Sequence, residues 1–573
     1  MRTLLYSSIA TIAFTTTAFA TEPLPKDLIN HTADLGVATA ALGEPKTEAS
    51  AHLESYIAKP KRIEKIRDEF GNIGVDIFQR AYAAKINSPI WTAEGAKNLQ
   101  RTVDDLFVHG ILADDVLNGD LEKIIDQRFG SMETRKTVKA DVKLTLAWMR
   151  VAQAMSGDLS EERGMTIRRG SPVVRYSLPT SLLKSAQGDA ERELLSMAPE
   201  APQYVRLKTT LADYRQIKRN GGWLAIRDGD AIELGDTDKR VPKLRQRLRA
   251  EAYTVEDPAS ESDPQLFDEN LSAALKLFQT RHGLEDDGIL GGNTLAALNE
   301  SVESKIDRIA ESMYRWRTQG DLGERYIWAN IPSYSAEGWN DGVMEIRQRT
   351  IVGKERFATP EFSDEVEYVV ANPKWYLPVS IVRRQKVPKL KKDPGYAAKY
   401  GYKIFDRSSG APINAFDVDW TEPGVSRKYR FVQEAGEGNA LGEMKIIFPN
   451  QYSIYLHGTP GKHLFDRAER AFSSGCVRLE DPVAMAEWIA RHDEEAEVSE
   501  IVTAMVTEEN TRLDLEDNVP VHITYFTVTV GDDGEPRFWR DIYDRYDGGI
   551  KYVKRYERKL DKATAARLVV SSL

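Results

Sequence analysis

The hydrophobic period of this chain changes near residue 325, and the change divides what it can fold into. Between about 51 and 225, apolar residues recur at steps of three and four, as in Ile63, Ile66, Phe70 and Ile73 and again in Leu144, Trp148 and Val151. That spacing lays one stripe along a helix. Beyond 325 they gather in short runs rich in β-branched and aromatic types, at 326–331, 343–352, 367–370, 444–448, 453–456 and 521–530. Pro332, Gly353, Pro373, Pro449-Asn450 and Gly531 punctuate these runs, which read as strands joined by turns. Repeated short strands predict a closed or sandwiched β-domain. One helix is expected inside it, with Asp481 as N-cap, Pro482 in the first position, and Ala484, Met485, Trp488 and Ile489 on its buried face. A single core rarely grows past about 250–300 residues, so 573 residues require several domains. The expected fold class is α+β multidomain: a helical scaffold over 51–237, a small helical domain over 238–304, a mainly-β domain over 325–550 and a C-terminal tail over 551–573.

The small domain has sharp edges. Val241, Leu244 and Leu248 line one helix face, and after a Pro-containing loop Leu271, Ala274, Leu275 and Phe278 line a second. His282-Gly283-Leu284, Asp287-Gly288 and Gly291-Gly292-Asn293-Thr294-Leu295 follow as helix stops and turns. His282 and Asp287 lack partners at metal-ligand spacing, so turn and cap roles are expected and no metal or cofactor is predicted. Within the β-domain, about 380–430 breaks the strand pattern with Tyr396, Tyr400, Tyr402, Asp406, Asp417, Trp420 and a Lys/Arg cluster at 386–392. An insertion of this length is a candidate lid, with a plain surface loop as the other reading.

The N-terminus reads as an export signal: Arg2, a moderately apolar run over 4–19, and Ala18-Phe19-Ala20 as a cleavage site. Residues 1–20 would be removed and 21–50 would serve as a leader or linker. The run is too short and polar for a good membrane span, so no integral membrane segment is expected after cleavage, although a retained anchor is the alternative. The net charge of −10 gives no support to nucleic-acid binding. One cysteine, Cys476, excludes an internal disulfide and leaves a free thiol.

That thiol lies in Ser473-Ser474-Gly475-Cys476-Val477-Arg478, nineteen positions after His457 in Tyr455-Leu456-His457-Gly458-Thr459-Pro460. A thiolate is a strong nucleophile and an imidazole can take its proton near neutral pH. Gly475 clears space where a carbonyl and backbone donors would meet. The ordered pair of motifs resembles the signature of the L,D-transpeptidase catalytic domain. Further similarity is carried by 326–332, by 351–354 with 359–364, and by Gly438-Asn439-Ala440-Leu441-Gly442, stretches typical of large multi-module Gram-negative members. The resemblance covers roughly 240–550, and 238–304 is similar to the small three-helix peptidoglycan-binding domain. Two departures stand out: Ser474 replaces a histidine common two residues before the cysteine, and Gly458 replaces an aspartate.

The resemblance implies a periplasmic enzyme of cell-wall biogenesis and cell shape, and a carbapenem target. It implies an acyl transfer in which Cys476 attacks a peptidoglycan stem peptide, His457 acts as base, and a second amine takes the thioester to give a 3→3 crosslink. Hydrolysis by the same site, attachment of a protein to the wall, or a non-catalytic wall-binding protein are the alternatives, and wall-synthesis proteins are candidate partners. Backbone N–H groups at Gly475 and Cys476 would hold the oxyanion, with Ser473 and Ser474 as further donors. Arg478 would orient the loop, bind a stem carboxylate or pair within its loop. Tyr455 would contact substrate or imidazole, or pack as a plain aromatic. His463 is the rival base.

Overall fold

The computed structural model describes residues 47–117, 119–157, 178–253, 263–320, 322–493 and 496–546. The expected signal at 1–20, the leader as far as 46 and the tail at 551–573 lie outside the described residues. The fold is α+β and multidomain, with helices first and a mainly-β domain last. Helices Pro60–Ala83, Ala93–Asp104 and Thr134–Ser156 share one core in which Ile66, Phe70, Leu144, Trp148 and Val151 are buried. Asp141 is buried there but fully engaged: Arg128 pairs with it at 2.9 Å, and the Tyr82 hydroxyl and the Ile90 and Trp91 N–H groups donate to it. A carboxylate held by so many donors is structural.

Three helices, Val241–Ala250, Glu269–Arg281 and Gly292–Leu298, make the small domain. Asp268 caps the second by accepting from Leu271 N at 2.9 Å. The next helix, Val302–Gln319, starts at the end of the expected small domain and runs into the gap before the expected β-domain, yet it is the joint between them. Its Ile309, Met313 and Trp316 share a core with Tyr204, Leu207 and Leu211 of helix Pro202–Arg219 and with Trp328, Phe526 and Phe538 of the β-domain.

The β-domain begins with β1 (Arg325–Asn330), β2 (Ser335–Asn340), β3 (Val343–Gly353) and β4 (Phe362–Ala371). Then come β5 (Trp375–Tyr376), β6 (Tyr402–Asp406), β7 (Pro412–Ile413) and β8 (Tyr429–Gln433). The rest are β9 (Met444–Ile447), β10 (Leu456–His457), β11 (Ala471–Ser473), β12 (Val477–Leu479), β13 (Thr511–Thr524), β14 (Val528–Val530) and β15 (Pro536–Phe538). The pairing order β3-β12-β10-β9-β4-β13-β1-β2 returns to β3, so the sheet closes on itself, and β11 joins the end of β3. Helix Pro482–Arg491 buries Met485, Trp488 and Ile489 against this sheet, with Asp481 as N-cap accepting from Ala484 N at 3.0 Å. Gly338 gives Trp488 room, because a Cβ there would lie 2.8 Å from the indole.

Two expectations shift. The strand expected at 453–456 is confined to β10, because Asn450 folds the preceding residues into a turn: its amide donates to Phe448 O and Ile454 O, and its carbonyl accepts from Tyr452 N and Ile454 N. The insertion is a small folded unit, wider than 380–430. Strands β5, β8, β6 and β7 form a separate sheet over a core that includes Trp375, Leu377, Leu390, Tyr402, Trp420, Phe431 and Leu441. Strands of two to five residues are too short to show a period in sequence.

Candidate active site

Strand register builds the site. β10 lies between β9, antiparallel, and β12, parallel, and His457 stands opposite Lys445 on one side and Arg478 on the other. Cross-strand neighbours share a face of the sheet, and so do residues two apart on one strand. Tyr455 lies one residue ahead of β10 and Cys476 one residue ahead of β12. Val477 N donates to Tyr455 O at 3.3 Å, which brings the cysteine alongside the tyrosine.

The loop that carries the thiol is held from several sides. The Ser473 hydroxyl, 2% exposed, donates to Cys476 O at 2.5 Å and accepts from Gly475 N at 3.0 Å. Thr359 Oγ1 donates to Gly475 O at 2.8 Å and accepts from Gly353 N at 2.9 Å. Gly475 has φ +126°, a backbone state that glycine adopts without strain. The partly exposed Cys476 thiol donates to Ser453 O at 3.8 Å. Ser474 is exposed and its hydroxyl meets the Gln385 amide at 2.9 Å. Ser473 and the Gly475 N–H, both expected near an oxyanion, are thus engaged in shaping the loop.

His457 is 5% exposed, and its Nδ1 lies 2.5 Å from Gly458 O. A carbonyl only accepts, so Nδ1 carries the proton and Nε2 is the basic nitrogen. Burial, followed by the Arg478 and Lys445 charges, holds the imidazole down to about 3, against the pull of the Gly458 and Leu441 carbonyls. Burial pushes the Cys476 thiol up, opposed by Lys445 and Arg478. The resting pair is therefore neutral thiol and neutral imidazole. No hydrogen bond joins Sγ to the imidazole among the described residues, because each faces a carbonyl.

Tyr455 packs against the core of the insertion, its ring 5.5 Å from the His457 ring. Gly458 lies where a Cβ would press on Glu443 Oε2 at 2.9 Å and Pro482 at 3.0 Å. Gly442, with φ +64°, brings its backbone against Gly458 and Thr459, where a Cβ would come within 2.5 Å. His463 is exposed on the turn Lys462–Asp466. Sequence reasoning missed Lys445, Thr359 and Gln385. Lys445 was legible as a lone cation between apolar residues on a strand, whereas the reach of Gln385 depends on how the insertion folds.

Residues 324–535 match the family model described as the L,D-transpeptidase catalytic domain. The chain carries an L,D-transpeptidase catalytic domain. Residues 237–298 match the "Putative peptidoglycan binding domain" and 76–211 the "Scaffold domain". A Haemophilus influenzae protein named "Putative L,D-transpeptidase" is 33% identical over 255 residues, which is 44% of this chain and 51% of that protein. The chain thus spans about half the length of the curated relative it matches. An L,D-transpeptidase from Mycobacterium smegmatis overlays on 35% of this chain and 58% of its own, at 12% identity and a TM-score of 0.16. One from Xylanimonas cellulosilytica overlays on 52% and 98%, at 13% identity and a TM-score of 0.16.

Around the transpeptidase domain, His282 is not placed to meet a glycan. It is buried, its ring 3.8 Å from that of Phe278 and 5.7 Å from that of Phe538, with Nε2 3.0 Å from Lys305 Nζ. Asp287 accepts from Ile289 N and the Gln279 amide, a turn role. Among the described residues no group of three His, Cys, Asp or Glu could hold a metal ion. No described helix is long and apolar enough to cross a membrane.

Proposed function

We propose that this protein is an exported, periplasmic L,D-transpeptidase that makes 3→3 peptidoglycan crosslinks through a thioester on Cys476. The observation that carries the reading is the register of β10 with β12, which sets His457 opposite Arg478, two residues after Cys476. His457, neutral at working pH, takes the thiol proton once the cysteine side chain turns from Ser453 O towards Nε2. Catalytic hydrogen bonds are often long in an empty site and tighten with substrate. Sγ attacks the carbonyl of the diaminopimelyl–D-alanine amide, the Cys476 N–H helps hold the oxyanion, and His457 returns the proton to the leaving amine. A second stem's amine then attacks the thioester, with His457 accepting its proton.

The insertion supports transfer over hydrolysis. It touches the catalytic loop through Gln385 and packs on Tyr455, so it covers the site and can limit access of water. Incubation with tetrapeptide muropeptides tests the reading. A 3→3 dimer supports it, a tripeptide alone makes the protein a carboxypeptidase, and tight binding to sacculi without turnover makes it a structural wall protein.

A further inference from the structure

Two cations flank the base without an anion to meet. Lys445 and Arg478 are the cross-strand neighbours of His457 from β9 and β12, and both are half-buried. Neither forms an ion pair among the described residues, and Arg478 Nε is buried with no hydrogen-bond partner. Lys445 Nζ sits 4.2 Å from the centre of the Tyr455 ring. Glu443, two residues earlier on the chain, is turned to Lys462 at 3.7 Å. The one group whose negative charge favours either cation is Cys476, which rests as a neutral thiol. Once the thioester has formed, even that charge is lost. Partly buried cations without a partner are costly, so a site that keeps two of them is suited to an anion brought by the substrate.

The position of the pair says which anion. His457 returns its proton to the nitrogen of the leaving amino acid, and the carboxylate of that residue is separated from the nitrogen by a single carbon. A group held beside His457 during that step is therefore next to Lys445 and Arg478. We propose that Lys445 is a specificity-determining residue that, with Arg478, binds the free carboxylate of the departing terminal amino acid. The inference rests on the transpeptidase reading and adds the rule by which the donor is recognised. A donor whose cleaved residue is chain-terminal fits, and one whose carboxylate is capped or moved along by a further residue does not. Tyr455 supports the lysine through its ring face, which attracts a cation without neutralising it.

The test uses the full chain, two tetrapeptide donors that differ only in a terminal carboxylate or carboxamide, and the variants Lys445→Gln and Lys445→Arg. Wild type is expected to prefer the acid donor by about 100-fold in kcat/KM. Lys445→Gln is expected to reduce that preference by about tenfold or more, with a larger loss on the acid donor than on the carboxamide, and Lys445→Arg to restore most of it. Thermal unfolding of each variant checks that the β-domain is intact. Equal loss on both donors would assign Lys445 to the thiol or to packing and overturn the proposal, as would a wild type indifferent to the carboxylate. If wild type forms no thioester from either donor, the transpeptidase reading itself fails.

Discussion

Gln385 donates its side-chain amide to Ser474 Oγ at 2.9 Å, and this bond ties the insertion to the loop two residues ahead of Cys476. Arg384 lies beside it, 5.6 Å from the Phe357 ring, and Phe357 O abuts Gly353 at the end of β3. The insertion and the segment that supports the thiol loop therefore meet at the residues around Ser474. A hydroxyl at 474 accepts this amide while leaving the thiol without a second imidazole for a neighbour.

Gln385→Ala removes the tie without touching the reacting groups. The variant should fold normally, exchange amide hydrogens faster over 379–391, and give more tripeptide relative to dimer because water reaches the thioester more readily. An unchanged product ratio with unchanged exchange would mean that the insertion is held elsewhere. Removing 385–425 would be a poorer test. It cuts through the core shared by Trp375, Leu390, Trp420 and Phe431, so it would damage the unit rather than lift it off.

The nucleophile and base can be separated by mass spectrometry, since a carbapenem offers a strained amide and the chain has one cysteine. The expected result is a single adduct on the peptide containing Cys476, lost in Cys476→Ala. His457→Ala should still form it, slower by about 10²–10⁴-fold, the usual loss for a general base. His463→Ala should leave the rate as it is, since that imidazole sits on an exposed turn. An adduct that survives in Cys476→Ala would overturn the mechanism.

Burial of His457, reinforced by the charges beside it, sets the pH profile. An imidazole held down to about 3 is already deprotonated across the neutral range, so the acid limb should lie below about pH 4 instead of near the ordinary 6.5. Acylation by a carbapenem should be flat from about pH 5 to 8. Alkylation by iodoacetamide, which needs the free thiolate, should keep rising past the ordinary thiol value of 9.0, because burial raises this thiol. A limb at 6.5 in acylation would show that neither burial nor Arg478 and Lys445 hold the imidazole down. A preformed thiolate–imidazolium pair would instead give fast alkylation at pH 6.

Much of this was legible in the sequence. Long periodic segments such as the helix with Leu144, Trp148 and Val151 were readable because a stripe repeated over many residues averages out exceptions. The Asp481-Pro482 start was readable because capping is local chemistry. His457 and Cys476 stood out because their neighbours have few other reasons to occur together. What stayed hidden depends on register. Nothing local says that Lys445 faces His457 across strands or that Thr359 Oγ1 reaches Gly475 O, since 116 positions separate the latter pair. The strands β2, β11 and β12 were missed because six or three residues of mixed polarity carry little period. Ser473 looked like a catalytic donor because sequence shows that a hydroxyl is present and not which way it is turned.

A buried charge cluster fixes the small helical domain to the rest of the chain. Glu251 is buried and accepts from Lys305 at 2.5 Å, from Arg247 at 2.6 Å and from the Tyr214 hydroxyl at 2.6 Å. Lys305 comes from the joint helix Val302–Gln319 and Tyr214 from helix Pro202–Arg219, while Phe538 of β15 lies 4.5 Å from Lys305 Nζ. Burial opposes ionisation of Glu251, yet Lys305 and Arg247 hold its carboxyl well below the ordinary 4.5. Such a depressed carboxylate lends its full stability above 4.5 and loses it as pH falls further, so acid should weaken this joint. Glu251→Gln leaves Lys305 and Arg247 buried without a counter-charge, which should destabilise the protein by about 3–5 kcal/mol. Removing all three charged members in Glu251→Met with Lys305→Met and Arg247→Met should recover much of that loss, because a well-packed apolar cluster leaves no unpaired charge. Denaturant unfolding followed by tryptophan fluorescence reads both variants. A triple variant as unstable as Glu251→Gln would mean that the loss comes from packing around Phe278 and Phe538 and not from the stranded charges.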